Sequence, residues 1–74
     1  MLEYGTNNIK VDVNVDGWAV VSGTLNIVGY NKLSDFMERD VSKFIKLVDA
    51  NRGARYYKFI MINKDKIVGV YESN

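Results

Sequence analysis

The sequence predicts a mainly β fold: five antiparallel strands in a small barrel, closed or partly open, with one short helix between strands 2 and 3. Three observations predict it: apolar and polar residues alternate, turn residues separate the apolar runs, and one segment changes to helical spacing. The 74 residues, 47% hydrophobic and 26% charged, are typical of one domain spanning 1–74, with loose ends at 1–8 and 73–74. An open α+β sheet is the alternative.

The first two predicted strands lie on either side of an Asp-Gly pair. In the first, Ile9–Val15, valines and one isoleucine occupy every second position, as expected of a strand with one buried face. The second, Trp18–Val28, places on one face Ala19, Val21, Gly23, Leu25 and Ile27. The Asp16-Gly17 pair between them predicts an antiparallel hairpin.

The length of that turn sets which residues share a face. A two-residue loop would oppose Val13 to Val20 and would place Leu25 on the polar face. A three-residue loop, Val15–Gly17 with Gly17 in the left-handed conformation, opposes Val13 to Ala19 and keeps the apolar residues together. We predict the three-residue loop, which also sets Gly23 opposite Ile9, where a missing side chain permits a bend.

Helical spacing begins after the second strand, within Asn31–Val41. The apolar positions predicted to face the core are Leu33, Phe36, Met37 and Val41. Ser34 is the predicted N-cap and Asp35 lies in the first turn, where it also forms an i,i+4 pair with Arg39. We predict that Glu38 and Asp40 face water.

Three further strands are predicted: Phe44–Ala50, Tyr56–Ile62 and Ile67–Glu72. The segments between them, Asn51–Arg55 and the polar Asn63–Lys66, are predicted turns. Closure of such short strands into a barrel would remove the exposed edges of a flat sheet.

The composition argues against enzyme chemistry. The chain has no His and no Cys, so the Ser-His-Asp and Cys-His mechanisms lack their base or nucleophile and the commonest transition-metal ligands are missing. Its six glycines form no phosphate-binding loop. We therefore predict no enzyme activity, no catalytic residues, no metal and no cofactor.

The N-terminal residues Met1–Lys10 lack the basic start and apolar core of a signal peptide, and no apolar run approaches the roughly 20 residues that cross a bilayer. We therefore expect a cytoplasmic protein with no membrane partner.

Charge is unevenly distributed although the net charge is only +1. Residues 43–66 contain seven basic and two acidic residues, which indicates either the solvated positions of a hairpin or a surface for an anionic partner. Basic and aromatic residues alternate here, and aromatic faces stack bases while cations meet phosphates. The candidate nucleic-acid contacts are Arg52, Arg55, Tyr57 and Lys58.

Large aromatic side chains are also candidates for protein contact, because a small and marginally stable domain gains stability from a partner or from a second copy. The candidate partner contacts are Trp18, Tyr30, Tyr56 and Tyr57. Trp18 is predicted to cap the barrel mouth, with an exposed anchor as the alternative. The sequence thus predicts an interaction or self-assembly module, a homo-oligomer or the ligand of another protein, with single-stranded RNA binding as the alternative and a small-ligand pocket third.

Three segments resemble the Sm-like small barrel, a fold of ring-forming proteins that is SH3-like in strand pattern and generally binds single-stranded RNA. They are Val20–Ile27 with its Ser22-Gly23-Thr24-Leu25, Phe44–Ala50, and Tyr57–Val70 with its tight polar turn. The resemblance implies a bent second strand and RNA as a ligand. At the RNA-contacting positions, however, this chain has Phe44 in place of Asn and Asn63-Lys64 in place of Arg-Gly.

A second resemblance spans most of the chain. Lys32–Met37, followed by Lys43-Phe44-Ile45 and Leu47, is similar to a family of uncharacterised small prokaryotic domains with an Arg-Leu-Ser-Asp-Phe-Leu-Asn type motif. This resemblance implies a shared fold and no particular activity. We predict that the motif is structural, with Leu33, Phe36 and Met37 closing one end of the barrel.

Overall fold

Five antiparallel strands form one sheet, and a single α-helix separates the second strand from the third. The computed structural model describes residues 7–73. Its elements are β1 (Asn8–Val15), β2 (Val21–Asn26), α1 (Leu33–Arg39), β3 (Phe44–Arg52), β4 (Arg55–Asn63), a 3₁₀ turn (Lys64–Lys66) and β5 (Ile67–Glu72). The strand order is β4-β3-β2-β1-β5. The predicted mainly β fold, its five antiparallel strands and the position of its helix are confirmed.

The sheet is not closed, because no ladder joins β4 to β5 in residues 7–73. It is nevertheless strongly curled at one end. The edges of a flat five-stranded sheet lie about 19 Å apart, whereas a three-residue 3₁₀ turn advances only about 6 Å. That turn joins β4 to β5, and its ends are held by hydrogen bonds from Lys64 N to Lys43 O (2.8 Å) and from Asp16 N to Lys66 O (2.7 Å). The covalent connection therefore brings the two edges together without pairing them.

The core lies on the concave face of the sheet and under α1. It contains alternate residues of β1 and β2, Ile27 just after β2, two residues of the helix, three of β3 and one of β4: Val11, Val13, Val15, Val21, Leu25, Ile27, Leu33, Phe36, Ile45, Leu47, Ala50 and Ile62. Burial of a Val, Leu, Ile or Phe side chain contributes about 1.5–3 kcal/mol, so this face determines the fold. No polar or charged residue among residues 7–73 is buried in it.

The β1–β2 register differs from the prediction by two residues. Val13 lies opposite Val21, not Ala19, and Gly23 lies opposite Val11, not Ile9. Gly17 does adopt a left-handed φ of +78°, and Trp18 N donates to Val15 O at 3.0 Å. The chain turns there, but residues 16–20 remain exposed and pairing begins only at Val21. Because the shift is even, the predicted apolar face is preserved.

Gly23 is instead required by the neighbouring strand. The β2–β3 register shifts between Ser22 and Thr24, so β3 has one extra residue opposite Gly23. A Cβ at Gly23 would lie 3.1 Å from the Cβ of Leu47 and 3.2 Å from that of Ala50. Asp49 and Ala50 together lie opposite Gly23. Asp49 has a φ of +50°, the sole positive value at a non-glycine residue in 7–73. This bulge explains the bend that the sequence indicated.

Helix α1 starts one residue before the predicted cap. Lys32 is the N-cap and makes no side-chain capping hydrogen bond, so the prediction that Ser34 caps the helix is wrong. Asp35 lies in the first turn, as predicted, and Leu33 and Phe36 are buried. Val41 is 95% exposed rather than in the core, because the helix ends at Arg39.

One ion pair within 4.0 Å is present in residues 7–73, and it joins the helix to the 3₁₀ turn. Lys64 Nζ lies 3.2 Å from Asp40 Oδ2 and donates to Asp40 O at 2.8 Å. The predicted Asp35–Arg39 pair is not formed, and Asp40 is half-buried rather than facing water. The ammonium also lies 5.6 Å from the centre of the Phe36 ring. This contact fixes the end of the sheet where its two edges meet.

Residues 1–6 and 74, predicted to be loose, lie outside the described residues. The described residues of these predicted ends are hydrogen-bonded to the sheet or part of it. Asn8 begins β1, and Asn7 O accepts a hydrogen bond from Ile27 N at 2.9 Å. At the other end, Ser73 N donates to Lys10 O at 2.8 Å.

Candidate binding surfaces

The end of the β3–β4 hairpin brings two guanidinium groups together. Gly53 and Ala54 form a two-residue turn in which Gly53 has a φ of +63°, the conformation that a type II′ turn requires at its first central position. The turn sets Arg52 of β3 directly opposite Arg55 of β4. Two of the predicted nucleic-acid contacts are therefore neighbours.

Arg52 contacts both Trp18 and Tyr57 at this end of the hairpin. Its guanidinium carbon lies 4.3 Å from the centre of the Trp18 ring, and Nη2 donates to the Tyr57 hydroxyl at 3.3 Å. Its Nε is buried and has no hydrogen-bond partner within residues 7–73. We call Arg52, Arg55, Tyr57 and Trp18 the arginine cluster.

The cluster is electropositive. The Arg52 hydrogen bond, together with the nearby charge of Arg55, lowers the pKa of Tyr57, although partial burial of the phenol acts in the opposite direction. Neither arginine has a carboxylate within 4.0 Å in the described part of the chain. Charge at this end of the hairpin is therefore not neutralised by the fold.

Trp18 has features of both alternatives considered for it. The residue is 47% exposed, and the open sheet forms no closed barrel for it to cap. One part of the ring contacts Arg52, and the residue also lines a cleft of about 310 Å³ with Val15, Met61 and Ile62, where the two sheet edges meet. Asp16 and Lys66 complete the rim of that cleft with opposite charges.

The other candidate residues are distributed over the molecule. Tyr56 is exposed, and its hydroxyl donates to Asp49 Oδ1 at 2.7 Å; this hydrogen bond is the main reason why the pKa of Tyr56 is raised. Tyr30 is half-buried and packs edge-to-face on Phe36, with ring centres 5.6 Å apart. Lys58 is exposed. The four predicted partner contacts therefore do not form one surface.

A different apolar surface lies on the convex face of the β3–β4 hairpin. Its members, which we call the outer strip, are Phe44, Val48, Phe59 and Met61. Val48 pairs with Phe59 and Lys46 with Met61, so the four side chains line one face, and the Lys46 ammonium lies 5.0 Å from the centre of the Phe59 ring. Phe59 and Met61 are each more than half exposed. None of these four residues is among the contacts predicted from the sequence.

A signal for the strip is nevertheless present in the sequence. Ile45 and Leu47 alternate with Phe44 and Val48, so both faces of β3 carry apolar residues, more than one core requires. The alternation in β4 was misleading because Tyr57, which strict alternation groups with Phe59 and Met61, packs against the core. On one side of the bulge at Asp49 the pair Val48 and Phe59 is exposed, whereas on the other side the pair Ala50 and Tyr57 packs in or against the core.

A groove of about 440 Å³ runs beside the outer strip, between β2, β3 and the C-terminal end of α1, where Phe36 and Asp40 also line it. Phe44, Lys46 and Val48 form one wall, and Thr24 and Asn26 contribute polar groups.

Within residues 7–73 no helix has the length and apolar character to span a membrane, and no group of three or more Asp or Glu side chains is arranged to hold a metal ion. Comparison of the chain with protein-family models, with curated proteins and with solved structures finds no match.

Proposed function

We propose that this chain is a non-enzymatic interaction module that self-associates through the outer strip. The observation that carries the proposal is the position of Phe44, Val48, Phe59 and Met61 on one exposed face of the β3–β4 hairpin. Isolated apolar residues are ordinary on protein surfaces, whereas a contiguous group is typical of an interface. Aromatic residues and methionine are enriched in such interfaces.

The strip also lies at an open edge of the sheet. β4 presents nine residues, Arg55–Asn63, whose outward backbone groups are not paired by a second neighbouring strand within residues 7–73. Such an edge is a template for pairing with another chain, and natural proteins protect it with charges, proline or bulges. The chain has no proline. The protecting charges available in β4 are those of Arg55 and Lys58.

A second copy is the partner that we propose for the strip. The strip is apolar apart from Lys46 beside Phe59, so the same face of a second copy offers a matching apolar surface, as in a symmetric dimer. A small domain also gains free energy of folding when it associates.

Sedimentation equilibrium tests the proposal. We expect wild-type protein at micromolar concentration to have a mass at least twice the 8.4 kDa of one chain. The double variant Phe59→Thr, Met61→Thr retains residues that favour strands and should shift the mass toward the monomer. The matched control is Val68→Thr on β5, which is 70% exposed but lies outside the strip. A wild-type monomer at all concentrations, or dissociation by Val68→Thr alone, would contradict the proposal.

Single-stranded RNA binding is the second candidate function, and the arrangement of Arg52 and Arg55 favours it. The two guanidiniums lie opposite each other beside Tyr57, as a phosphate backbone with stacked bases would require. Lys58 is exposed on the same strand. Fluorescence anisotropy of labelled octauridylate, at two salt concentrations, measures this binding; absence of binding at low salt would exclude this candidate.

A further inference from the structure

The arginine cluster contains a repulsion that the fold does not compensate. Arg52 and Arg55 are directly opposed across the hairpin, a placement that destabilises a sheet when both charges have the same sign. No carboxylate lies within 4.0 Å of either guanidinium in residues 7–73. Two other carboxylates of the described residues have partners or neighbours of their own: Asp49 accepts from the Tyr56 hydroxyl, and Asp16 lies on the rim of the cleft with Lys66.

Hydrogen-bond donors converge at the same place. Arg52 Nη2 donates to the Tyr57 oxygen, which leaves the phenol proton free for an external acceptor. Arg52 Nε is buried and has no partner in the described residues. A buried donor without a partner costs free energy, so the fold leaves the Arg52 guanidinium incompletely hydrogen-bonded.

Trp18 adds a flat apolar surface next to these donors. Its ring is stacked against the Arg52 guanidinium, which holds the arginine in place, and about half of the residue is exposed. A ligand with both a negative group and a planar ring could contact the guanidiniums and the indole together.

We propose that the arginine cluster is a binding site for a phosphate group. Two guanidiniums with one phenolic hydroxyl match the several acceptor oxygens of a phosphate, and paired hydrogen bonds from arginine to phosphate are among the stronger ones in proteins. The source of the phosphate is either a small nucleotide or a strand of RNA; in the latter case the inference rests on the second function proposed above.

Trp18 makes the test specific, because it is the only tryptophan of the chain. Inorganic phosphate is titrated at constant ionic strength, with chloride as the compensating anion, and tryptophan fluorescence is recorded. In parallel, nuclear magnetic resonance follows the indole N–H and the arginine Nε–H signals. We expect a saturable change in fluorescence and a shift of the Arg52 Nε–H signal. No saturable change in either signal would overturn the proposal.

Matched variants separate a site from general charge attraction. Arg55→Gln removes one exposed guanidinium and should weaken phosphate binding about tenfold. Arg39→Gln removes the same charge at the end of α1 and should leave the affinity unchanged. Equal weakening by both variants would overturn the proposal. Amide spectra of each variant confirm that the fold is retained, and because Arg55 is exposed, this test does not depend on a variant of the packed Arg52.

Two further titrations identify the source of the phosphate. Uridine monophosphate should bind more tightly than inorganic phosphate if its base contacts Trp18, and Trp18→Leu should then remove that difference. Octauridylate that binds far more tightly than the mononucleotide supports both the site and the RNA function. Equal affinity per site for the two ligands supports a nucleotide site and contradicts the RNA function.

Discussion

Arg52 and Arg55 lie directly opposite each other at the end of the β3–β4 hairpin, with the Arg52 guanidinium stacked on Trp18. A hairpin that served only the fold would place opposite charges or polar residues here, because like charges across a strand pair repel. The like charges therefore oppose the pairing, and the phosphate site proposed above predicts that removal of one charge raises the stability of the fold and weakens phosphate binding.

Arg55→Gln should stabilise the fold while it weakens phosphate binding. Relief of the repulsion should raise the free energy of unfolding by roughly 0.2–1 kcal/mol, and high salt should reduce the gain because salt screens exposed charges. Urea denaturation at low and high salt measures the effect. Lys10→Gln, a charge removal on β1, serves as the control and should change stability less. A loss of stability in Arg55→Gln would contradict the interpretation.

Phe36 should be the most sensitive position of α1. It is 8% exposed, packs against Tyr30 and lies beneath the Lys64 ammonium. A Phe→Ala change at a buried site costs about 3–5 kcal/mol, which a domain of this size does not tolerate well. We expect Phe36→Ala to be largely unfolded by circular dichroism. A nearly unchanged melting temperature, combined with loss of self-association, would instead identify Phe36 as a partner contact.

Ser34→Ala provides the contrasting case within the same helix. Because Lys32 is the N-cap and Ser34 is an exposed residue of the first turn, its hydroxyl contributes no capping hydrogen bond. Alanine has the higher helix propensity, by about 0.5 kcal/mol, so the variant should be as stable as wild type or slightly more stable. Thermal denaturation showing a loss of about 1 kcal/mol, typical of a lost cap, would contradict the observed helix start.

Lys64 should contribute more to stability than its neighbour Lys66. Its ammonium pairs with Asp40 and donates to the Asp40 carbonyl, in a half-buried position where the two sheet edges meet. Loss of these hydrogen bonds in Lys64→Met should cost about 1–2 kcal/mol, whereas Lys66→Met removes an exposed amine. Urea denaturation compares the two variants. Equal stability would show that the ion pair does not hold the end of the sheet.

The two adjacent tyrosines should lose their protons in a defined order. The hydrogen bond to Asp49 raises the pKa of Tyr56, and the Arg52 guanidinium lowers that of Tyr57. Tyr57 therefore stabilises the fold above its ordinary pKa of 10.0, and this contribution is lost as the pH falls through its folded pKa. The contribution of Tyr56 is present below 10.0 and is lost as the pH rises through its folded pKa. Carbon-13 titration of the phenol rings measures both; deprotonation of Tyr56 first would contradict the assignment.

Local patterns were sufficient to predict the strands. Alternating valines in β1 and apolar runs in β3–β5 determine which residues form strands, and the bounds Ile67–Glu72 match β5. The face of each β1 and β2 residue was also predictable, because alternation depends only on whether a register shift is even or odd. The two-residue register error arose because residues 16–20 form a longer excursion than the Asp16-Gly17 pair indicates.

Features that depend on contacts distant in sequence were not predictable. The bulge at Asp49 lies opposite Gly23 of the neighbouring strand, where there is no room for a side chain. Beyond the bulge Tyr57 packs against the core, whereas Phe59 faces outward. The ion pair of Lys64 joins residues 24 positions apart. Similarly, sequence placed Arg52, Arg55 and Tyr57 near one another, but the contact of Arg52 with Trp18 depends on the pairing of β2 with β3, which sets Val21 opposite Arg52.

The central claim is that copies of the chain meet at the outer strip, and isotope-filtered nuclear Overhauser spectroscopy tests it most directly. One copy has methionine methyl groups labelled with carbon-13 and its partner is unlabelled, so that every cross-peak arises between molecules. We predict cross-peaks from the Met61 methyl to aromatic protons and none from the Met37 methyl, which packs beside the core. An associated protein in which Met61 shows no such cross-peak, or in which Met37 alone does, would contradict the claim.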